Sequence, residues 1–170
     1  MKALFSIFAT LVLASAAITQ AQHADTTSAN ATTYMWHAEL VSFDQAAKTL
    51  TVKAQVVGET AAAELKNFKA GDRVLLHWSG FDTSANGVRG VMKYDATQSA
   101  KEPFLLPVEL VSPMPENNYL TIKLRAPDST AAALKSVKPG EWITITSKQR
   151  PTGDADTIVA VRPYVQSAQG

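Results

Sequence analysis

The chain contains no cysteine. That excludes disulfide staples, thiolate metal sites and cysteine nucleophiles, so stability has to come from a packed core alone. It also lacks an excess of charge of either sign: 16 Lys plus Arg face 15 Asp plus Glu, a formal charge of +1. With no basic stripe to neutralise a run of phosphates, nucleic acid is not an expected partner. Histidine is scarce, at 3 residues, and there is no Gly-x-Ser-x-Gly elbow, no His-Glu-x-x-His pair and no phosphate loop. Asp44, Glu59, Asp72 and Asp82 fall at loop and turn positions, where acidic residues are commonplace. No enzyme is expected, and neither a cofactor nor a metal site is implied. What the chain does have is 46% apolar residues with only 8 Gly and 8 Pro, enough to build a globular core in 170 residues and too little patterning for a fibre.

The first segment reads as an address. Met1-Lys2 is a short positive start, Ala3 to Ala17 is an apolar run without charge, and Ile18-Thr19-Gln20-Ala21 supplies small residues for cleavage. This is the layout of a secretory signal peptide over residues 1–21. The run is shorter than the roughly 20 residues that span a bilayer, so no membrane span is expected in the mature chain. The protein is expected to be exported, to the periplasm or beyond. Removing Lys2 reduces the 16 basic residues by one and balances them against 15 acidic ones, which leaves no polybasic membrane patch. Residues 22–33, polar and small, read as a flexible leader; Asn30-Ala31-Thr32 matches a glycosylation sequon of the kind that arises by chance.

Behind the leader, one stretch of sequence returns about 70 residues later. Ala38-Glu39-Leu40-Val41-Ser42 is answered by Val108-Glu109-Leu110-Val111-Ser112, and Leu50-Thr51-Val52-Lys53 by Leu120-Thr121-Ile122-Lys123. Thr60-Ala61-Ala62-Ala63 is answered by Thr130-Ala131-Ala132-Ala133 and, after one deleted residue, Lys69-Ala70-Gly71-Asp72 by Lys138-Pro139-Gly140-Glu141. The paired runs share their periodicity. Tyr34, Trp36, Ala38 and Leu40 alternate like Phe104, Leu106, Val108 and Leu110, and both predict a strand with one buried face. Leu50, Val52 and Ala54 predict a second strand, as do Leu120, Ile122 and Leu124. Thr60 and Thr130 suit the start of a helix of about two turns, ended by Gly71 or Pro139-Gly140. Third strands follow at Arg73–Trp78 and Trp142–Thr146, and fourth strands at Val88–Tyr94 and Ile158–Tyr164.

The expected fold is mainly β: two tandem β-β-α-β-β small barrel repeats at residues 34–94 and 104–164, joined by a linker at 95–103 and followed by a tail at 165–170. The matched runs Leu65-Lys66 to Val74 and Leu134-Lys135 to Ile143 resemble the leucine-lysine-glycine-acidic turn of small exported OB-like β-barrels of bacteria. The periplasmic copper-efflux metallochaperones belong to that group. This resemblance implies an OB-like barrel. The metallochaperones hold Cu(I) with a Trp-x-x-Met-x-Met run and a nearby His, but here the corresponding positions are Val56-Val57-Gly58-Glu59 and Ala126-Pro127-Asp128-Ser129. The copper ligands are therefore not carried over.

The candidate ligand-binding residues are Met35, His37, Glu39, His77, Glu109 and Trp142. Met35, His37 and His77 are soft or nitrogen donors beside aromatic residues, the pattern copper handling would use; scattered surface histidines account for them equally. Alternation points His37 and His77 outward. Glu39 and Glu109 recur on the outward face of the first strand, either paired to a cross-strand Lys or touching a ligand. Trp142 replaces Arg73 and is expected at the surface, where with Tyr119 and Tyr164 it can stack on a sugar or a peptide. The function expected is a non-enzymatic, exported envelope protein that binds or scaffolds a partner protein or small ligand. The alternative is periplasmic metal, specifically copper, handling.

Overall fold

The structure is a computed structural model that describes residues 33–79 and 86–165. The expected signal peptide, most of the expected leader and the end of the expected tail lie outside the described residues. The strands are β1 (Thr33–Asp44), β2 (Thr49–Gln55), β3 (Arg73–Ser79), β4 (Gly87–Lys93), β5 (Leu105–Glu116), β6 (Tyr119–Arg125), β7 (Trp142–Lys148) and β8 (Ile158–Pro163). The helices are α1 (Glu59–Leu65), α2 (Ala96–Lys101) and α3 (Thr130–Ala133). The chain is mainly β, and every strand predicted from alternation is present.

All eight strands join one antiparallel sheet in the order β4-β3-β5-β6-β2-β1-β7-β8. The hairpin β1–β2 does not pair with β3 or β4 of its own segment. It pairs with β7 and β6, while β5–β6 pairs with β3 and β2. Hairpins are thus exchanged between residues 34–94 and 104–164, where separate closure had been expected. The physical reason is edge pairing: exchange gives both hairpins partners on each side and leaves only β4 and β8 as edges. At the centre, β2 meets β6 with Val52 opposite Ile122, flanked by Leu50 opposite Leu124 and Ala54 opposite Leu120.

The sheet curls around its apolar face. Trp36 on β1 and Trp78 on β3 are separated in the sheet by β2, β6 and β5, yet their ring centroids are 4.4 Å apart. Inward residues such as Leu50, Val52, Leu76, Leu106, Leu120, Ile122 and Ile145 form one buried cluster with them. Each large aliphatic side chain so buried contributes about 1.5–3 kcal/mol. Both indoles also satisfy their N–H: Trp36 donates to Ser147 Oγ at 2.9 Å and Trp78 to Asn86 Oδ1 at 2.5 Å.

The β4 edge is brought back onto the end of β2. Val56 bridges Val88, and Val57 N donates to Val88 O at 2.9 Å. Gly87 makes this approach possible, because a Cβ there would lie 2.7 Å from Gln55 O and from Val57 Cγ1. Glu64 of α1 then covers the edge by accepting from Val91 N at 2.6 Å.

The two glycine turns have the same construction. Asp72 N donates to Lys69 O and Glu141 N to Lys138 O, both at 3.1 Å, with Gly71 at φ +87° and Gly140 at φ +90°. These are type II turns, which need a residue tolerant of positive φ at that position. Each turn clips onto a strand from the other segment: Gly71 N to Leu110 O at 2.7 Å, and Gly140 N to Leu40 O at 2.8 Å. The same strands bulge there, between Leu40 and Ser42 and between Leu110 and Ser112.

Helix capping differs from expectation. The cap of α1 is Gly58 and that of α3 is Ser129, neither with a side-chain hydrogen bond; Thr130 Oγ1 is buried without a partner. α3 has only 4 residues, short of two turns. Residues 95–103 are likewise more than a linker. Asp95 caps α2 by accepting from Thr97 N at 2.8 Å, and Ser99 Oγ donates to Pro151 O at 3.3 Å. This helix packs on β5; Leu105 of β5 and Leu75 of the neighbouring β3 are buried outside the main cluster. Among the described residues no helix is long and apolar enough to cross a membrane.

Candidate functional site: two grooves on the outer face

The outward residues of the sheet form two matching rows. In one, Trp142 stands opposite Glu39 and Glu39 opposite Lys53; in the other, Arg73 stands opposite Glu109 and Glu109 opposite Lys123. Both acids bind their cross-strand lysine, Glu39 Oε1 to Lys53 Nζ at 3.1 Å and Glu109 Oε1 to Lys123 Nζ at 2.6 Å. The lysine contact is therefore the one the recurring glutamates make. Both pairs are partly solvated and contribute little to stability, about 0–1 kcal/mol each.

Above each pair is a groove. The first, about 320 Å³, is lined by Glu39, Lys53, Ser112, Asn117, Tyr119 and Thr121. Trp142, opposite Glu39 and 41% exposed, flanks this lining through Tyr119, its ring 6.4 Å from that of Tyr119 at an interplanar angle of 72°. The second, about 460 Å³, is lined by Thr49, Arg73, Tyr94, Glu109, Lys123 and Arg125 among others. Here Arg73 lies over the Tyr94 ring, 4.0 Å from its centroid, and pairs with Asp154. Burial alone would lower the Arg73 pKa, but the hydrogen bond and charge of Asp154 outweigh it and the net shift is upward.

Of the sequence-predicted residues, the structure brings Met35, His37, Glu39 and Trp142 together on β1 and β7. Met35 is 48% exposed, and its sulfur accepts from Arg162 Nη2 at 3.2 Å. His37 is only half-exposed: its Nδ1 lies 3.2 Å from Thr144 Oγ1, and its ring meets Tyr164 edge-on at 4.8 Å. Burial, then the Arg162 charge, holds its pKa below the ordinary value of 6.5. Glu109 belongs to the second groove. His77 is exposed on β3 between Gly90 and Leu105, away from the other candidates.

Sequence reasoning missed Arg73, Tyr94, Arg125 and Asp154 as groove residues. Nothing local links Arg73 to Glu109; the pairing of β3 with β5 creates the neighbourhood. The alignment of Arg73 with Trp142 marks the two as equivalent positions, but places neither beside a glutamate.

Among the described residues no group of three or more His, Cys, Asp or Glu could hold a metal ion. The soft donors Met35 and His37 both lie beside the Arg162 guanidinium, whose charge opposes a bound cation. Comparison with protein-family models, curated proteins and solved structures found no match.

Proposed function

We propose that this chain is a non-enzymatic, exported binding module of the cell envelope, built from two OB-like β-β-α-β-β copies that have exchanged hairpins. One observation carries the reading: two grooves stand at matching sheet positions with the same Glu–Lys floor and different rims. A duplicated scaffold that keeps its floor and varies its rim is suited to recognition. The open, solvated grooves expose an aromatic residue in one case and arginines in the other, side chains enriched where proteins bind partners. The two glutamates lie in separate grooves, each neutralised by a lysine, so they do not form the facing carboxylate pair that hydrolytic acid–base chemistry uses.

The test is a ligand screen on the mature chain beginning at Gln22, read by thermal shift. Neutral sugars, short peptides, inorganic phosphate, Cu(I) and Zn(II) form separate arms. A saturable rise in Tm with an organic or anionic ligand, abolished by substituting a groove residue, is the expected result. A rise confined to the metals, or catalytic turnover of any compound, overturns the reading.

A further inference from the structure

We infer that the groove beneath Trp142 is a site for a short neutral saccharide; the inference rests on the binding-module reading and specifies its ligand class. Three features support it. First, the groove floor is electrically balanced, because the Glu39 carboxylate is matched by the Lys53 ammonium at 3.1 Å. An ionic ligand gains no net attraction there, whereas a neutral polyol loses none. Second, that pair engages one carboxylate oxygen and one ammonium hydrogen, leaving further acceptor and donor capacity side by side. Adjacent hydroxyls on a sugar ring both donate and accept, and match such a pair; Ser112, Asn117 and Thr121 extend the same mixed lining.

Third, Trp142 and Tyr119 form a corner. Their rings stand at 72° with centroids 6.4 Å apart, so the exposed indole of Trp142 stands edge-to-face with Tyr119, which lines the groove. The C–H face of a pyranose is apolar and packs on an indole, while its hydroxyl edge stays polar. Residues at matching places in the second groove show that this combination is not a by-product of the scaffold. Tyr119 is answered by Thr49, Trp142 by Arg73, Asn117 by Ala47 and Gln55 by Arg125. Each stacking or amide group on the first side has a small or cationic residue on the other. The volume of about 320 Å³ sits at the lower end of the range for small-molecule sites, roughly 300–1,000 Å³.

The tryptophans make the test selective. Trp36 and Trp78 are fully buried, so of the 3 tryptophans only Trp142 is open to a ligand or a soluble quencher. The mature chain is titrated with cellobiose, maltose and N,N′-diacetylchitobiose while emission and acrylamide quenching are followed. At least one is expected to shift the emission to the blue and protect it from quenching, with affinity unaffected by salt between low and high ionic strength. Trp142→Ala is expected to abolish binding, Trp142→Tyr to retain it in the thermal-shift format, and Tyr119→Ala to weaken it by about tenfold. Binding that persists in Trp142→Ala, or steep salt dependence, overturns the assignment. Silence from all three sugars also overturns it. In that case phosphate or an acidic peptide that raises Tm without changing Trp142 emission leaves the binding-module reading standing on the other groove; silence there too removes both.

Discussion

In one groove Glu39 and Lys53 lie beneath Trp142 and Tyr119; in the other Glu109 and Lys123 lie beneath Arg73 and Thr49. The floors match because they are part of the strand pairing itself, next to a bulge and a glycine turn that both halves of the sheet need. The rims differ because nothing in the sheet depends on them. Arg73 and Trp142 occupy the first position of β3 and β7, where the side chain points to solvent and any residue compatible with a strand fits. Core and turn positions are thus constrained by folding, and outward positions are free to acquire recognition chemistry.

The largest effect expected from testing this comparison is on the core. Leu50→Ala and Leu120→Ala should each destabilise by about 2–5 kcal/mol in urea titrations, since both side chains are fully buried. Similar losses support equivalent roles, whereas a negligible loss at one of them would break the equivalence.

Next comes the backbone. Gly71→Ala and Gly140→Ala should cost about 1–2 kcal/mol each, the penalty for an L side chain at positive φ. Gly87→Ala should cost about 1–3 kcal/mol for a different reason, overpacking against Gln55 O and Val57. Unlike the turn glycines it has no glycine counterpart, because Thr157 stands seventy residues on.

The outward pairs should matter least to stability. Glu39→Gln and Glu109→Gln are expected to change it by less than about 1 kcal/mol, as both salt bridges are partly solvated. A larger loss at only one would show that one floor is structural and the other is not.

Acid should separate the two halves. His37 has a folded pKa below the ordinary 6.5, so the folded state favours its neutral form. Its contribution is intact above 6.5 and is lost as pH falls below that value, where the unfolded chain binds the proton more readily. His37→Gln should flatten the stability profile in this window; the second groove, with Pro107 at the matching place, has no such group. Asp156 acts at lower pH. Burial alone would raise its pKa, but Lys148 and the Thr152 and Gly153 hydrogen bonds hold it below 3.8. Its contribution is present above 3.8 and is lost as pH falls through the depressed value, so Asp156→Asn should remove only that later loss.

Much of the architecture was legible from period and turn chemistry. Tyr34, Trp36, Ala38 and Leu40 alternate as a strand and are buried as one, and Gly71 and Gly140 occupy the turns their neighbours implied. The exposure of Trp142 was also legible, whereas its contact with Tyr119 depends on β2 and β1 standing between β6 and β7, and Tyr164 meets His37 instead. His37 was harder to place, because its partial burial comes from Tyr164 and Thr144, which are far away in sequence. Residues 95–103 concealed a helix because Ala96–Lys101 is too short and too polar to show a period; Asp95 and the packing of Ser99 against Pro151 sustain it. The arginine groove was invisible until β3 met β5.

By itself the sequence determined which residues face inward, where the chain turns, and that the fold is mainly β, because alternation and glycine placement act locally. Only the tertiary structure decided which hairpin pairs with which, and so which side chains share a groove. An alternating strand specifies a face but not a neighbour. Neighbours are chosen by satisfying every strand edge at once and enclosing Trp36 and Trp78 in a common core.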